Sequence, residues 1–306
     1  MTRLAVVLVH GVGDQQPDWA DPIARQLERD VLAQLAHLLP SVPDPKEVLA
    51  IQDVYWADIL QERQRELYKV LAKANQVEVS GSWWRKLVRE AIRGFKRVES
   101  RFVAEFIGDV IGYLDRDTQA AVHKRVTEAL DRLSGEAGSQ KAKTPLTIVA
   151  HSLGTVISSN YVYDHAKRRH ALGKSGFDDE LALENFFTIG SPLALFSLQY
   201  GGPQAFKQPI KVETVRGRWI NISDKDDPVG MPLKSLNDAY GEAVFMDVRV
   251  NSGVYLLAHT AYFQEPVTMK LLSRKLALDW VAHHHAVEAS RLASWYDEYD
   301  QTLGTV

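Results

Sequence analysis

Two hydrophobic patterns alternate along the chain. One is a short continuous run rich in β-branched residues, as in Leu4-Ala-Val-Val-Leu-Val9; the other spaces apolar residues at helical intervals, as in Ile23, Leu27, Val31, Leu35 and Leu38. A strand buried on both faces of a parallel sheet needs the first pattern, and a helix with one apolar stripe gives the second. Strands are expected at Leu4–Val9, at Val48–Tyr55, from Leu146 to Val149, within Leu181–Ile189, at Trp219–Ser223 and at Ala243–Val250. A helix is expected to start at Asp21, an N-cap acid followed by Pro22, and to stop at Pro40. A second carries Val156, Ile157, Tyr161 and Val162 and stops near Lys167-Arg168-Arg169-His170 and Gly173, ordinary stop signals before they are a binding patch. Another helical segment runs from Val267. Strands alternating with helices predict an α/β class, a mostly parallel sheet flanked by helices within a single domain over 1–306.

Between Ile59 and Leu133 the alternation breaks. This block (57–135) is helical in pattern, with Trp84, Leu87, Val88, Ala91, Ile92 and Phe95 at helical spacing and Arg and Lys between them. A basic amphipathic helix led by tryptophan could make peripheral membrane contact through 83–106. The same spacing describes an insertion whose apolar face packs on the main domain and whose basic face is solvated. That second reading makes the block a helical insertion, a lid or cap over a site. Ser134 to Thr144, rich in Gly, Ser and Lys, is expected to be an exposed connector.

Candidate chemistry gathers where the expected strands end. Ala150-His151-Ser152-Leu153-Gly154 joins a strand to a helix through an abrupt turn, the context of a nucleophile elbow. Such a turn brings the residues flanking Ser152 close together, so Ala150 and Gly154 must be small; a chance Ser-x-Gly at a tight turn would have the same letters. His10-Gly11-Val12-Gly13 after the first strand could cradle phosphate, but Gln16 stands where a third glycine is needed. Beside an elbow serine it reads instead as an oxyanion loop presenting the Val12 N–H, with His10 packed beneath it. Asp224-Lys-Asp-Asp-Pro-Val229 follows a strand, where an acid that orients a base belongs; a solvated acidic turn is the alternative. Asp227 is the first choice and Asp226 the second. His259 lies on a loop after the last expected strand and is the candidate base. His283, His284 and His285 are adjacent in a helix and cannot share a face, a poor metal site. His37, His123, His165 and His170 fit helical surfaces. Ser191, before Pro192, is expected to be a turn residue near the pocket.

Composition narrows the function classes. A formal charge of −3 argues against nucleic acid as the main partner, and 45% apolar residues allow a sizeable core. Cysteine is absent, which excludes a thiol nucleophile, disulfides and thiolate metal sites. The first apolar run is too short for a signal sequence and no stretch reaches membrane-spanning length, so a cytoplasmic protein is expected.

Ser152, Asp227 and His259 occur in the order used by the α/β-hydrolase superfamily. The chain resembles that superfamily, and its lipase and esterase-like serine hydrolases in particular. The resemblance is carried by Val-Leu-Val-His-Gly at 7–11, Ala-His-Ser-Leu-Gly at 150–154, Thr-Ile-Gly-Ser-Pro at 188–192, Asp-Pro-Val at 227–229 and Ala-His-Thr at 258–260. It implies an α/β-hydrolase sheet of about six strands, the family's first two being absent. It also implies a Ser152–His259–Asp227 triad, an oxyanion hole from the N–H groups of Val12 and Leu153, and hydrolysis of an acyl ester or lipid without metal or cofactor. Thioester or amide hydrolysis and acyl transfer would use the same residues. A binding protein that keeps the fold without catalysis is the rival from another class.

Overall fold

In a computed structural model, residues 3–12, 15–60, 108–137, 143–253 and 256–305 are described. The helical insertion expected at 57–135 falls largely outside them, and the segment 83–106 expected to contact a membrane falls wholly outside them. The chain divides into two compact units. The first comprises Met1–Gly11, Asp18–Val54 and Val126–Val306; the second comprises Val12–Pro17 and Tyr55–Arg125.

The first unit is built on six strands: β1 (Leu4–Val9), β2 (Leu49–Val54), β3 (Thr144–His151), β4 (Leu181–Ile189), β5 (Arg218–Asp224) and β6 (Met246–Val250). They form one sheet of order β2-β1-β3-β4-β5-β6, parallel at every pairing. This is the α/β arrangement expected, a mostly parallel sheet flanked by helices, here parallel throughout. Side chains alternate between the faces of a strand. Leu4, Val6 and Leu8 of β1, Ile220 and Ile222 of β5, and Val248 and Val250 of β6 therefore share one core with helices α1 (Asp21–Leu38), α5 (Pro266–His283) and α6 (Ala289–Leu303). Two further helices flank the strands: α2 (Arg116–Ala137), whose Val126, Ala129, Leu130 and Leu133 are buried, and α3 (Leu153–Ala171), packed on β3 and β1. A short helix, α4 (Leu256–Thr260), follows β6. Because every strand points the same way, all their carboxyl ends lie along one edge, where ligands of open α/β sheets bind.

Four expected boundaries change. Ala20 caps α1, and Asp21 is already helical, its carboxylate 3.5 Å from Arg25 one turn on. The Ser134–Thr144 connector begins as helix, because α2 continues to Ala137, which is buried and accepts the Arg3 N–H at 3.3 Å. Ala243 and Val244 do not begin the last strand. Asn237 accepts the Tyr240 N–H and caps a helical turn over Asp238–Ala243, so pairing starts only where the Phe245 N–H reaches the Trp219 carbonyl. His259 lies in the helical turn α4, not on an open loop.

Within the second unit, Leu60 fills the space beside Gly112, Tyr113 and His123 share a hydrogen bond of 3.1 Å, and Arg125 pairs with Asp58 at 2.8 Å. Among the described residues, no helix is long and apolar enough to cross a membrane.

Candidate active site

Ser152 follows the last residue of β3 and caps α3 with φ 52° and ψ −128°, a conformation that costs a non-glycine residue about 1–3 kcal/mol. Its surroundings enforce that strain. The Ser152 N–H donates to the Ile189 carbonyl at 2.9 Å, and its own carbonyl accepts both the Thr155 N–H at 2.9 Å and the Thr155 hydroxyl at 2.7 Å. A small residue is required at 154, because a Cβ there would lie 2.5 Å from the Val9 and His10 carbonyl oxygens. Gly11 faces Ser152, and a Cβ there would overlap Ser152 Cβ and lie 3.0 Å from its Oγ. The close approach that matters is thus between β1 and the elbow, because parallel neighbours end side by side.

From this edge three side chains converge. His259 Nδ1–H donates to Asp227 Oδ2 at 2.8 Å, and Ser152 Oγ lies 2.8 Å from His259 Nε2. With Nδ1 committed as donor to a carboxylate, Nε2 is the acceptor and the serine hydroxyl the donor. Asp227 Oδ1 accepts the Val229 N–H at 2.8 Å, and Oδ2 also accepts the Tyr262 hydroxyl at 2.7 Å. Burial, the strongest influence on Asp227, pushes its carboxyl upward. The donors His259, Val229 and Tyr262 outweigh it and hold the carboxyl at about 2. The acid is therefore ionised at any ordinary pH.

The sequence's other choices are placed as clearly. Asp226 turns away: its N–H donates to Asp224 Oδ1 at 2.8 Å, and its part-exposed carboxylate is 4.0 Å from Lys225. Asp224 is buried and structural, its Oδ2 accepting the Ser252 N–H at 2.5 Å. Ser191 is fully buried and bonded to the Thr155 hydroxyl at 2.8 Å, so it is part of the wall beneath the elbow. His10 is buried, with Nδ1–H on the Gly11 carbonyl at 2.7 Å and its ring edge-on to Trp19. Burial lowers it to about 4, against the pull of that carbonyl, so the ring is neutral at pH 7. Leu153 is the first residue of α3, and helix geometry leaves its N–H without an intrahelical acceptor. Val12 belongs to the second unit. Of the three adjacent histidines, His283 pairs with the Glu184 carboxylate at 2.9 Å and His284 with the Trp280 carbonyl at 2.8 Å, while His285 adopts a left-handed backbone conformation. Among the described residues, no three His, Asp or Glu side chains are grouped to hold a metal.

Sequence reasoning missed two supports of the base. His151 Nε2–H donates to the His259 carbonyl at 2.6 Å, its ring 4.9 Å from that of His259. Burial, then the neighbouring His259, lowers His151 to about 3, so it acts as a neutral donor. Tyr262, three residues beyond the base, touches the acid; an aromatic one helical turn past a candidate histidine was the available signal.

No protein-family model and no curated protein matches the chain. Among solved structures it is similar to the crystal structure of a presumptive cell surface hydrolase from Lactobacillus plantarum WCFS1, at 11% identity over 98% of each chain with a TM-score of 0.35.

Proposed function

We propose that this protein is a serine hydrolase that cleaves a carboxylic ester, an acyl ester or lipid, through an acyl-enzyme. The observation that carries the reading is the unbroken chain Asp227–His259–Ser152, with 2.8 Å at both links and almost no exposed surface on any member. Serine is a weak nucleophile and needs a base within hydrogen-bond reach. His259 Nε2 takes the Ser152 proton as Oγ attacks the ester carbonyl, and returns it to the leaving alkoxide. Asp227 fixes the tautomer and stabilises the imidazolium without taking the proton itself, in keeping with its low-lying carboxyl. The Leu153 N–H receives the developing oxyanion, such a donor being worth about 3–4 kcal/mol. Water, deprotonated by the same His259, then releases the acid. No metal or cofactor enters this sequence.

The 57–135 insertion as a lid, contact with a membrane through 83–106 and a cytoplasmic location belong to the same proposal. A direct test is hydrolysis of matched ester, thioester and anilide series of increasing acyl length by wild type and Ser152→Ala. Ester turnover that vanishes in the variant supports the reading. Preference for the thioester or anilide moves it to the corresponding hydrolase. Equal, background-level rates in both proteins favour a binding role for the fold.

A further inference from the structure

The geometry points to Tyr262 as a positioning residue that sets the orientation and proton affinity of the Asp227–His259 pair; this rests on the serine-hydrolase reading above. The Tyr262 oxygen accepts the Asp224 N–H at 2.9 Å, which fixes the hydroxyl rotor, and its one proton is directed to Asp227 Oδ2 at 2.7 Å. That oxygen is the one that receives His259 Nδ1–H. Two glycines close the remaining space. A Cβ at Gly230 would lie 2.5 Å from Asp227 Oδ2 and 2.9 Å from the Tyr262 hydroxyl, and one at Gly190 would lie 3.1 Å from Oδ2 and 3.3 Å from His259 Cε1. Oδ2 is thus enclosed and held by two protein donors, the Tyr262 hydroxyl and His259 Nδ1–H. Burial keeps the phenol protonated, so it stays a donor throughout the working range.

The consequence is electrostatic. A hydrogen bond into Oδ2 draws charge from the carboxylate and makes it a weaker partner for the imidazolium. Without it, Asp227 binds the protonated ring more tightly, and a higher pH is needed to free the base. Among the described residues, the following groups face the pair. His151 faces both rings, with His10 beyond it, Ser152 faces Nε2, and Asp224 presents its N–H to Tyr262 while its carboxylate is turned to Ser252 and Asp226.

The test is the rate of covalent labelling by a fluorophosphonate as a function of pH, for wild type, Tyr262→Phe and a protein carrying 3-fluorotyrosine at 262. In Tyr262→Phe the acid limb is expected to move up by about 0.5–1 pH unit. In the fluorotyrosine protein, whose phenol is a stronger donor of nearly the same shape, it is expected to move down. Opposite displacements support the assignment, and the fluorotyrosine arm stands alone if Tyr262→Phe fails to fold. Lower rates with an unmoved limb would mean that Tyr262 is packing only, and would overturn it. No adduct on folded wild type at any pH would instead remove the serine-hydrolase reading and this assignment with it.

Discussion

Asp227 and Asp279 are both buried carboxylates, and each accepts a tyrosine hydroxyl at 2.7 Å, from Tyr262 and Tyr296 respectively. Their remaining partners divide them. Asp279, on α5, is bound by Lys275 Nζ at 2.5 Å and by the Asn185 amide at 2.7 Å, and Lys275 is itself fully buried beside the Tyr296 ring. Burial pushes the Asp279 carboxyl up and the lysine pulls it down. Every donor there ends in the cluster. Asp227 instead faces a ring whose far nitrogen reaches a strained serine at the carboxyl edge of the sheet. A buried carboxylate held by a lysine of its own helix, by Tyr296 and by Asn185 ties α5 to α6 and to β4. One paired with an imidazole that continues to a hydroxyl can move a proton.

The comparison can be broken by experiment, the largest effect first. Asp227→Asn is expected to lower turnover about 10⁴-fold, because the amide favours the wrong imidazole tautomer. Its urea midpoint should move far less than that of Lys275→Met. The latter strands the Asp279 charge and is expected to lose about 3–5 kcal/mol of stability while keeping its rate per folded molecule. If Lys275→Met loses turnover without losing stability, the two carboxylates have been assigned the wrong way round.

Acid titration sharpens the contrast further. His10 and His151 are held neutral, at about 4 and about 3, chiefly by burial. Their folded values lie below the ordinary 6.5, so the stability they confer is complete above 6.5 and declines as pH falls, by up to about 1.4 kcal/mol per pH unit for each ring. Asp227, also depressed, adds its loss only as pH drops from near 4 toward 2. Urea unfolding at pH 7 and pH 5 should show the decline, and His151→Gln should flatten it. The smallest effect is expected for Asp226→Asn, within about twofold of wild-type turnover, because an exposed charge of this kind contributes little.

Much of this was legible in the chain. Continuous β-branched runs marked β1 and β3, where burial on both faces leaves no polar alternation to misread, whereas β2 and β6 carry polar, part-exposed residues within shorter apolar stretches. Ala150 to Gly154 marked the elbow, because a strand end, a small residue and a helix start coincide there. Where the sequence erred, a tertiary hydrogen bond decided the outcome. Asn237 capped a turn that delayed β6, and the Ala137 carbonyl found Arg3 and carried α2 into an expected connector. Asp226 and Asp227 are neighbours of one type, and only the turn held by the Asp224 carboxylate and the Val229 N–H determines which faces His259. The sequence marks Tyr262 only as an aromatic three residues past a candidate histidine, because its partners Asp224 and Asp227 lie 38 and 35 residues away.

The central claim is an activated serine at 152. Intact-mass measurement after exposure to a fluorophosphonate, with Ser152→Ala alongside, addresses it most directly. The account predicts one adduct per wild-type chain and none on the variant. Equal labelling of both proteins, or none on a folded wild type with or without added lipid or detergent, would contradict it.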